Sequence, residues 1–173
     1  NHLEEIKGMY VPFWMYDGAA SGSVQFHATT VHKYTSGDYE ITETSHYDVR
    51  RAGSIGFEKI PVDASSKMPD DYMDSIEPYD YTDLKPFSTA YLPGFLADKY
   101  DVSVENSRER ADKRCAGSLV SALESTVSNY TTCNETSRDI CLKRGKVHYA
   151  LLPVWILNTK WEGKDFLFAM NGQ

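Results

Sequence analysis

The sequence predicts an α+β domain in which antiparallel β hairpins from both chain ends pack with one long helix and several short helices. Three observations predict this class. Apolar and polar residues alternate near both ends of the chain, which is typical of strands. Apolar residues recur at helical spacing within residues 104–128. Residues 11–28 also align without a gap with residues 152–169, which indicates an internally duplicated hairpin around a Pro-x-Trp motif.

The composition fits one globular domain with a substantial core. The chain has 173 residues, of which 41% are hydrophobic and 13% aromatic. Its net charge of −7 and its lack of a basic cluster argue against nucleic-acid binding through this domain, because such binding relies on Lys and Arg. No apolar run approaches the roughly 20 residues that span a bilayer. Because the first residue is Asn1 and not Met, we expect a fragment of a longer protein.

The three cysteines favour a reducing compartment. Cys115, Cys133 and Cys141 are odd in number and lack CxxC spacing, which argues against a disulfide framework and a cysteine zinc site. The cytoplasm is the simplest compartment for such a chain. We therefore expect a cytoplasmic domain, with any membrane tether supplied by segments outside this chain.

Residues 10–62 are predicted to form the N-terminal β meander. Strands are predicted at residues 10–16 and 23–34, separated by a small-residue turn at residues 17–22. A hairpin turn at residues 35–38 leads into a strand from residue 39. A further turn at residues 51–54 precedes a strand at residues 55–62.

Residues 63–100 form an acidic, proline-rich segment with no long apolar period. It contains four prolines, and seven acidic residues fall between Asp63 and Asp83 against one base, Lys67. Short helices are predicted at residues 70–76 and 93–100.

A long helix is predicted at residues 103–128, with Ser103 as its N-cap. Its apolar stripe consists of Ala111, Cys115, Leu119, Ala122, Leu123 and Thr126.

Residues 131–171 are predicted to form the C-terminal β meander. Strands at residues 131–142, 147–157 and 166–170 are separated by turns at residues 143–146 and 161–164. If the hairpin is duplicated, Trp14 and Trp155 should both be buried at equivalent strand positions.

The acidic segment contains the densest group of candidate ligands. This group consists of Asp70, Asp71, Asp74, Glu77, Asp80 and Asp83. On a helix Asp70, Asp74 and Glu77 would share a face, and oxygen ligands grouped this way could hold Ca²⁺ or Mg²⁺. The interpretation we favour is that acids complement the dipole at a helix N-terminus. We therefore assign no metal site and no cofactor to this chain.

The remaining candidates are His46 and Trp161. His46 lies on the polar face of its predicted strand, where it could meet His27 across strands. Trp161 lies between Lys160 and Glu162 in a predicted turn, so it is the tryptophan expected to be exposed and to contact a ligand. No catalytic motif is present, which leaves enzymatic activity uncertain and favours a non-enzyme.

Six segments resemble a family of uncharacterised bacterial proteins, mostly from Gram-positive anaerobes. Its members are described as TFIIB-type zinc-ribbon-containing or primosomal replication-restart helicase-like proteins. The segments are residues 11–17 (VPFWMYD), 46–53 (HYDVRRAG), 61–68 (PVDASSKM), 73–79 (MDSIEPY), 93–101 (PGFLADKYD) and 151–161 (LLPVWILNTKW). The resemblance implies a zinc ribbon before this region and hydrophobic, membrane-spanning segments after it. Zinc is therefore implied only for the ribbon, and no catalytic residue is carried over.

Three functions follow as hypotheses. The first is a non-catalytic interaction or scaffold domain that binds a protein or peptide. The second is a nucleic-acid-associated module of a helicase-like protein whose DNA contact is made by the ribbon. The third is a divalent-metal-dependent enzyme that uses the acidic segment.

Overall fold

The computed structural model describes residues 6–161 and 164–173, and the side chains of residues 160–165 lie outside the described part. An antiparallel-rich sheet and one long helix dominate, which confirms the α+β class. The strands are β1 (Ile6–Ser36), β2 (Tyr39–Asp63), β3 (Leu96–Ala97), β4 (Thr132–Trp161) and β5 (Lys164–Asn171). The helices are α1 (Asp70–Ser75) and α2 (Val104–Glu124), with 3₁₀ turns at Tyr81–Asp83 and Thr89–Tyr91.

The strands follow the order β2-β1-β4-β5, and β3 pairs with β1. Strand β5 runs antiparallel to β4, with Trp155 opposite Met170. The short strand β3 runs parallel to β1, with Met9 opposite Leu96.

Three predicted turns are wrong, because β1, β2 and β4 continue through residues 17–22, 51–54 and 143–146. Glycines in the first and last of these stretches instead permit close approach between backbones. A Cβ atom on Gly22 would lie 2.0 Å from the carbonyl oxygen of Asp139, and one on Gly145 would lie 2.8 Å from that of Asp17. The turn at residues 35–38 is confirmed, with Gly37 at φ 62°. The turn at residues 161–164 falls partly on residues 162–163, which lie outside the described residues.

Two of the three predicted helices are confirmed. Helix α1 matches the prediction, whereas residues 93–100 contain strand β3 and no helix. That segment turns at Gly94, which has φ 88°, and the Asp98 amide then donates to the Tyr10 carbonyl at 2.9 Å. These contacts draw the segment alongside β1, so sheet pairing overrides the short apolar cluster that predicted a helix.

Helix α2 begins where predicted and ends four residues early, at Glu124 instead of residue 128. The Ser103 hydroxyl accepts from the Asn106 amide at 3.3 Å, which confirms the N-cap. At the other end, the Ser125 and Thr126 hydroxyls donate to carbonyls of the last turn, of Ala122 and Leu123. Such local hydrogen bonds compete with helix continuation.

The chain divides into two compact units. The first comprises Asn1–Tyr16, Glu58–Ala111 and Lys146–Gln173, and the second comprises Asp17–Phe57 and Asp112–Gly145. The expectation of a single domain stays a prediction.

The core of the first unit lies between strand residues and the segment around α1. Alternate residues of β1 and β4 enter it, together with apolar residues from positions 68–79. Its buried members are Val11, Phe13, Met15, Met68, Met73, Ile76, Tyr79, Leu152 and Val154.

The core of the second unit is built from β1, β2 and the later turns of α2. Its buried members are Ala20, Val24, Phe26, Ala28, Val49, Leu119, Val120 and Leu123. Cys115 is buried, as expected for a small apolar residue, and burial raises the pKa of its thiol. Ala122 and Thr126 are exposed, so the apolar stripe of α2 is narrower than predicted.

The prediction that Trp14 and Trp155 are both buried is wrong. Trp14 is half-buried, whereas Trp155 is 37% exposed. The reason is the period of two along a strand, which puts Phe13 and Val154 in the core and turns their neighbours to the other face. The tryptophans therefore give no support to the proposed duplication.

Candidate functional site

The predicted acidic ligands Asp70 and Asp74 form ion pairs with one arginine. Arg110 on α2 lies 2.7 Å from an Asp70 carboxylate oxygen and 2.6 Å from one of Asp74. The same guanidinium contacts the buried carboxylate of Asp63. Arg110 thus neutralises carboxylates that the metal hypothesis would need as ligands.

Asp63 is the buried member of this cluster and is 4% exposed. Burial raises its pKa to about 6, and the Arg110 charge and hydrogen bond only partly offset that effect. For Arg110, burial works to lower the pKa, but the charges of Asp63 and Asp74 outweigh it, and the pKa is raised. The cluster is therefore a structural link between α2 and the segment that carries α1.

The other predicted residues do not join a common site. Asp71 is exposed on α1 and Glu77 is half-buried after it. The side chain of Trp161 lies outside the described residues. Within residues 6–161 and 164–173, no group of three or more His, Cys, Asp or Glu side chains is arranged to hold a metal ion.

A polar cluster fixes the segment that follows β3. Asp98 accepts hydrogen bonds from the Ser65 hydroxyl at 2.7 Å and from Lys67. Burial works to raise the pKa of Asp98, but these hydrogen bonds outweigh it, and the pKa is lowered. Asp101 accepts from the Ser66 amide at 2.7 Å and from its hydroxyl at 2.6 Å. Both aspartates are therefore held as charged acceptors.

The anchored segment supports a group of aromatic rings. Trp14 donates from Nε1 to the Val102 carbonyl at 2.8 Å. Its ring lies 5.3 Å from that of Tyr100 and 5.2 Å from that of Tyr149, between ring centroids. Tyr100 and Tyr149 are both exposed.

A second aromatic group lies where β3 meets β1. The Phe95 ring is 5.2 Å from Tyr10 and 5.6 Å from Trp155, between centroids. A Cβ atom on Gly8 would lie 2.5 Å from the Phe95 ring and 3.1 Å from the Trp155 ring. The absence of a side chain at Gly8 therefore lets both rings lie over the β1 backbone.

An exposed apolar feature continues from Trp155 onto strand β5. Trp155 is paired with Met170 and Leu157 with Phe168, so their side chains lie on one face. We call Trp155, Phe166, Phe168 and Met170 the β5 surface; their exposed fractions are 37%, 40%, 51% and 47%. The intervening residues Leu167 and Ala169 pack against the first unit's core. Both faces of β5 are thus apolar, although only one is covered.

Strand β5 also ends the strand order, and β4 is its one strand partner among the described residues. Exposed edge strands offer unpaired backbone groups to another chain, and proteins commonly protect them with charges. Residues 166–170 contain no charged residue. The β5 surface thus combines an open edge with exposed aromatic side chains.

The acidic segment is tied to the end of this strand. Asn171 donates from Nδ2 to the carbonyls of Ile76 and Pro78 at 3.2 and 2.9 Å. The Gln173 side chain accepts from the Asp80 amide at 2.7 Å. Asp80 is exposed, and its backbone contact with Gln173 puts its negative charge near the Asn171 end of β5.

His46 lies in the second unit, away from the acidic residues in sequence. Its Nδ1 atom is 3.1 Å from Nε2 of His27, and the two rings lie nearly edge to edge, with centroids 5.3 Å apart and an angle of 27° between their planes. His27 Nδ1 is 3.4 Å from an Asp48 carboxylate oxygen. The cross-strand pairing of His46 with His27, one of the alternatives raised by the sequence, is therefore present.

Sequence reasoning missed Arg110, Phe166, Phe168 and Met170. Phe166, Phe168 and Met170 could have been found, because residues 166–170 are apolar at every position and a strand with one polar face would alternate. Arg110 gave no such signal, since it sits among other charged residues on α2.

Comparison with known proteins gives one informative similarity. The chain is similar to Uncharacterized protein YdjG of Bacillus subtilis (strain 168), with 43% identity over 173 residues. The alignment covers 100% of this chain and 51% of that protein, so the chain spans about half the length of the curated relative it matches. No family model and no solved structure matches. No helix in the described ranges has both the length and the apolar composition of a membrane span. The chain therefore has a bacterial relative, and its zinc-ribbon and helicase-like assignments stay predictions.

Proposed function

We propose that this chain is a non-catalytic interaction domain that binds an extended peptide segment of a partner protein along β5. The observation that carries the proposal is the β5 surface, where Trp155, Phe166, Phe168 and Met170 are exposed beside an open strand edge. Exposed apolar patches of this kind are typical of interaction sites.

The geometry favours strand addition over docking of a helix. A peptide added to a sheet edge gains backbone hydrogen bonds, and its alternate side chains lie over one face of the sheet. On β5 that face carries three apolar side chains in succession, at positions 166, 168 and 170. A complementary peptide would therefore have apolar residues at every second position.

The negative charge near β5 predicts the charge that the partner peptide should carry. The whole chain carries a net charge of −7, and the exposed Asp80, whose backbone contacts Gln173, lies near the Asn171 end of β5. A basic residue at the corresponding end of the peptide would find opposite charge there. The expected ligand is an alternating apolar peptide with a basic residue at one end.

The test uses peptides selected from a displayed random library and measured by calorimetry. Phe168→Asp should weaken binding at least tenfold, because it places a charge in the middle of the contact. Phe87→Asp is the matched control, since Phe87 is 66% exposed and lies outside β5. Hydrogen exchange should show new protection of β5 amides when the peptide binds.

Three results would overturn the proposal. The library could yield no saturable ligand, or a selected peptide could bind Phe168→Asp as tightly as the unmodified chain. Alternatively, sedimentation could show a dimer that Phe168→Asp converts to a monomer, which would assign the surface to a second copy of the chain.

For the full-length protein we propose a cytoplasmic position for this domain, with a zinc ribbon and a membrane tether outside it. The resemblance described above supports these placements. Zinc content and membrane fractionation of the full-length protein would test them, and a protein that contains no zinc would refute the ribbon.

A further inference from the structure

We propose that His27 and His46 form a binding site for a divalent transition-metal ion. In this site Asp48 does not bind the ion but accepts a hydrogen bond from His27. The residues lie on neighbouring strands β1 and β2 in the second unit. This site shares no residue with the β5 surface.

The separation of the two imidazole nitrogens fits chelation of one ion. His27 Nε2 and His46 Nδ1 are 3.1 Å apart. With metal–nitrogen bonds of about 2.0–2.1 Å, this separation gives an angle of about 100° at the metal. That angle lies between the tetrahedral value and the right angle of octahedral geometry. The two nitrogens point at each other, so each exposed ring would have to turn by roughly 40° to direct its lone pair at a shared ion.

Asp48 supplies the second feature of such sites. A metal-binding histidine usually donates its other ring N–H to a carboxylate, which fixes the ring and its tautomer. His27 Nδ1 faces the Asp48 carboxylate at 3.4 Å. A proton on Nδ1 leaves the lone pair on Nε2, which is the nitrogen that faces His46.

Exposure leaves room for water to complete the coordination. The His27 side chain is 43% exposed, and the Asp48 side chain is 98% exposed. Two imidazoles suit Zn²⁺, Ni²⁺ and Cu²⁺, whereas Ca²⁺ and Mg²⁺ prefer oxygen ligands. Because the protein offers two direct ligands, the site should bind its ion reversibly and not as a permanent structural metal.

A direct imidazole–imidazole hydrogen bond would give the same 3.1 Å separation, so metal titration is the decisive measurement. Ni²⁺ and Zn²⁺ are titrated calorimetrically into the chain in a weakly chelating buffer, and the side-chain nitrogen signals of the histidines are followed by NMR. One equivalent of either ion should bind. The signals of His27 and His46 should shift together with Zn²⁺ and broaden together with paramagnetic Ni²⁺.

Substitutions at the proposed site and at other residues of the chain that could bind a metal show which side chains hold the ion. His27→Asn and His46→Asn should each weaken Ni²⁺ binding at least tenfold, and Asp48→Asn should weaken it severalfold. His32→Asn is the matched control, and Cys141→Ser tests the exposed thiol; both should bind as the unmodified chain does. Circular dichroism should show that every variant keeps its fold.

The proposal fails if no saturable one-to-one binding occurs, or if His27→Asn and His46→Asn bind as tightly as the unmodified chain. It also fails if Cys141→Ser removes the binding, which would assign the metal to the thiol.

Discussion

Replacing Arg110 with Met tests the role of the buried ion-pair cluster. Arg110 contacts Asp63, which is 4% exposed, together with Asp70 and Asp74 on the helix α1. Methionine keeps an apolar stem of similar length but leaves the Asp63 carboxylate without its cation. Removing one partner of a buried pair typically costs about 3–5 kcal/mol, so we expect Arg110→Met to lower the free energy of unfolding by about that amount at pH 8.

The pH dependence follows from the pKa of Asp63. Burial raises that pKa from 3.8 to about 6 in the folded chain, so the folded state binds the proton more tightly than the unfolded state. Asp63 therefore stabilises the fold fully below pH 3.8, and this contribution is lost as the pH rises through about 6. The difference between these two pKa values corresponds to about 3 kcal/mol of folding stability, at about 1.36 kcal/mol per pKa unit.

Without Arg110 the pKa of Asp63 should rise further, because its nearest positive charge is gone. Between pH 3.8 and 6 both proteins should lose stability in parallel, and only the variant should continue to lose it above pH 6. The difference between the two proteins should therefore be small at pH 5 and large at pH 8. At pH 5 the difference in unfolding free energy should come only from the loss of the exposed ion pairs with Asp70 and Asp74. Each of these pairs contributes up to about 1 kcal/mol.

Urea unfolding followed by circular dichroism from pH 5 to pH 8 measures both effects. Asp63→Asn removes the buried charge, so in that background Arg110→Met should cost much less. Arg108→Met is the matched control; this guanidinium lies 5.6 Å above the Tyr16 ring, and its loss should cost about 1 kcal/mol or less at every pH. An equal loss for Arg110→Met at pH 5 and pH 8, or an undiminished loss beside Asp63→Asn, would refute the reasoning.

Three further substitutions test the fold by the same urea measurement. Gly22→Ala should destabilise by about 1–3 kcal/mol, because its Cβ would lie 2.0 Å from the Asp139 carbonyl oxygen, whereas Gly56→Ala, with open space, should stay within about 0.5 kcal/mol. Ser103→Ala should cost about 1 kcal/mol through loss of the N-cap of α2, and an unchanged midpoint would show that the cap contributes nothing. Leu119→Ala should cost about 2–5 kcal/mol, since Leu119 is fully buried, and a loss below 1 kcal/mol would contradict that packing.

The fold class could be predicted because local periodicity determines it. Alternation indicated the strands, and the spacing of Ala111, Cys115 and Leu119 indicated α2. Strand lengths could not be predicted, because glycine and serine serve equally in turns and in close strand contacts. Gly22 and Gly145 look like turn residues in the sequence, and only the neighbouring backbone shows that they lie inside strands.

For the candidate sites, the sequence predicts the strand face on which a residue lies but not which distant residues meet it. The polar face of β2 drew attention to His46, and its pairing with His27 was raised as one alternative among others. The acidic segment was found as well, but its cation lies about 40 positions away along the chain, at Arg110. Contacts of that separation depend on how the elements pack, so periodicity within one segment carries no information about them.

We propose a binding role for the exposed row on β5 because the stability of this chain alone would favour a different sequence. Leu167 and Ala169 already provide the core contacts of this strand. Phe166, Phe168 and Met170 face outward, where each costs solubility and invites edge-to-edge aggregation without adding to the core. A polar residue at any of the three positions would remove that liability. If Phe168→Asp leaves stability unchanged and also leaves peptide binding unchanged, this reasoning is wrong for β5.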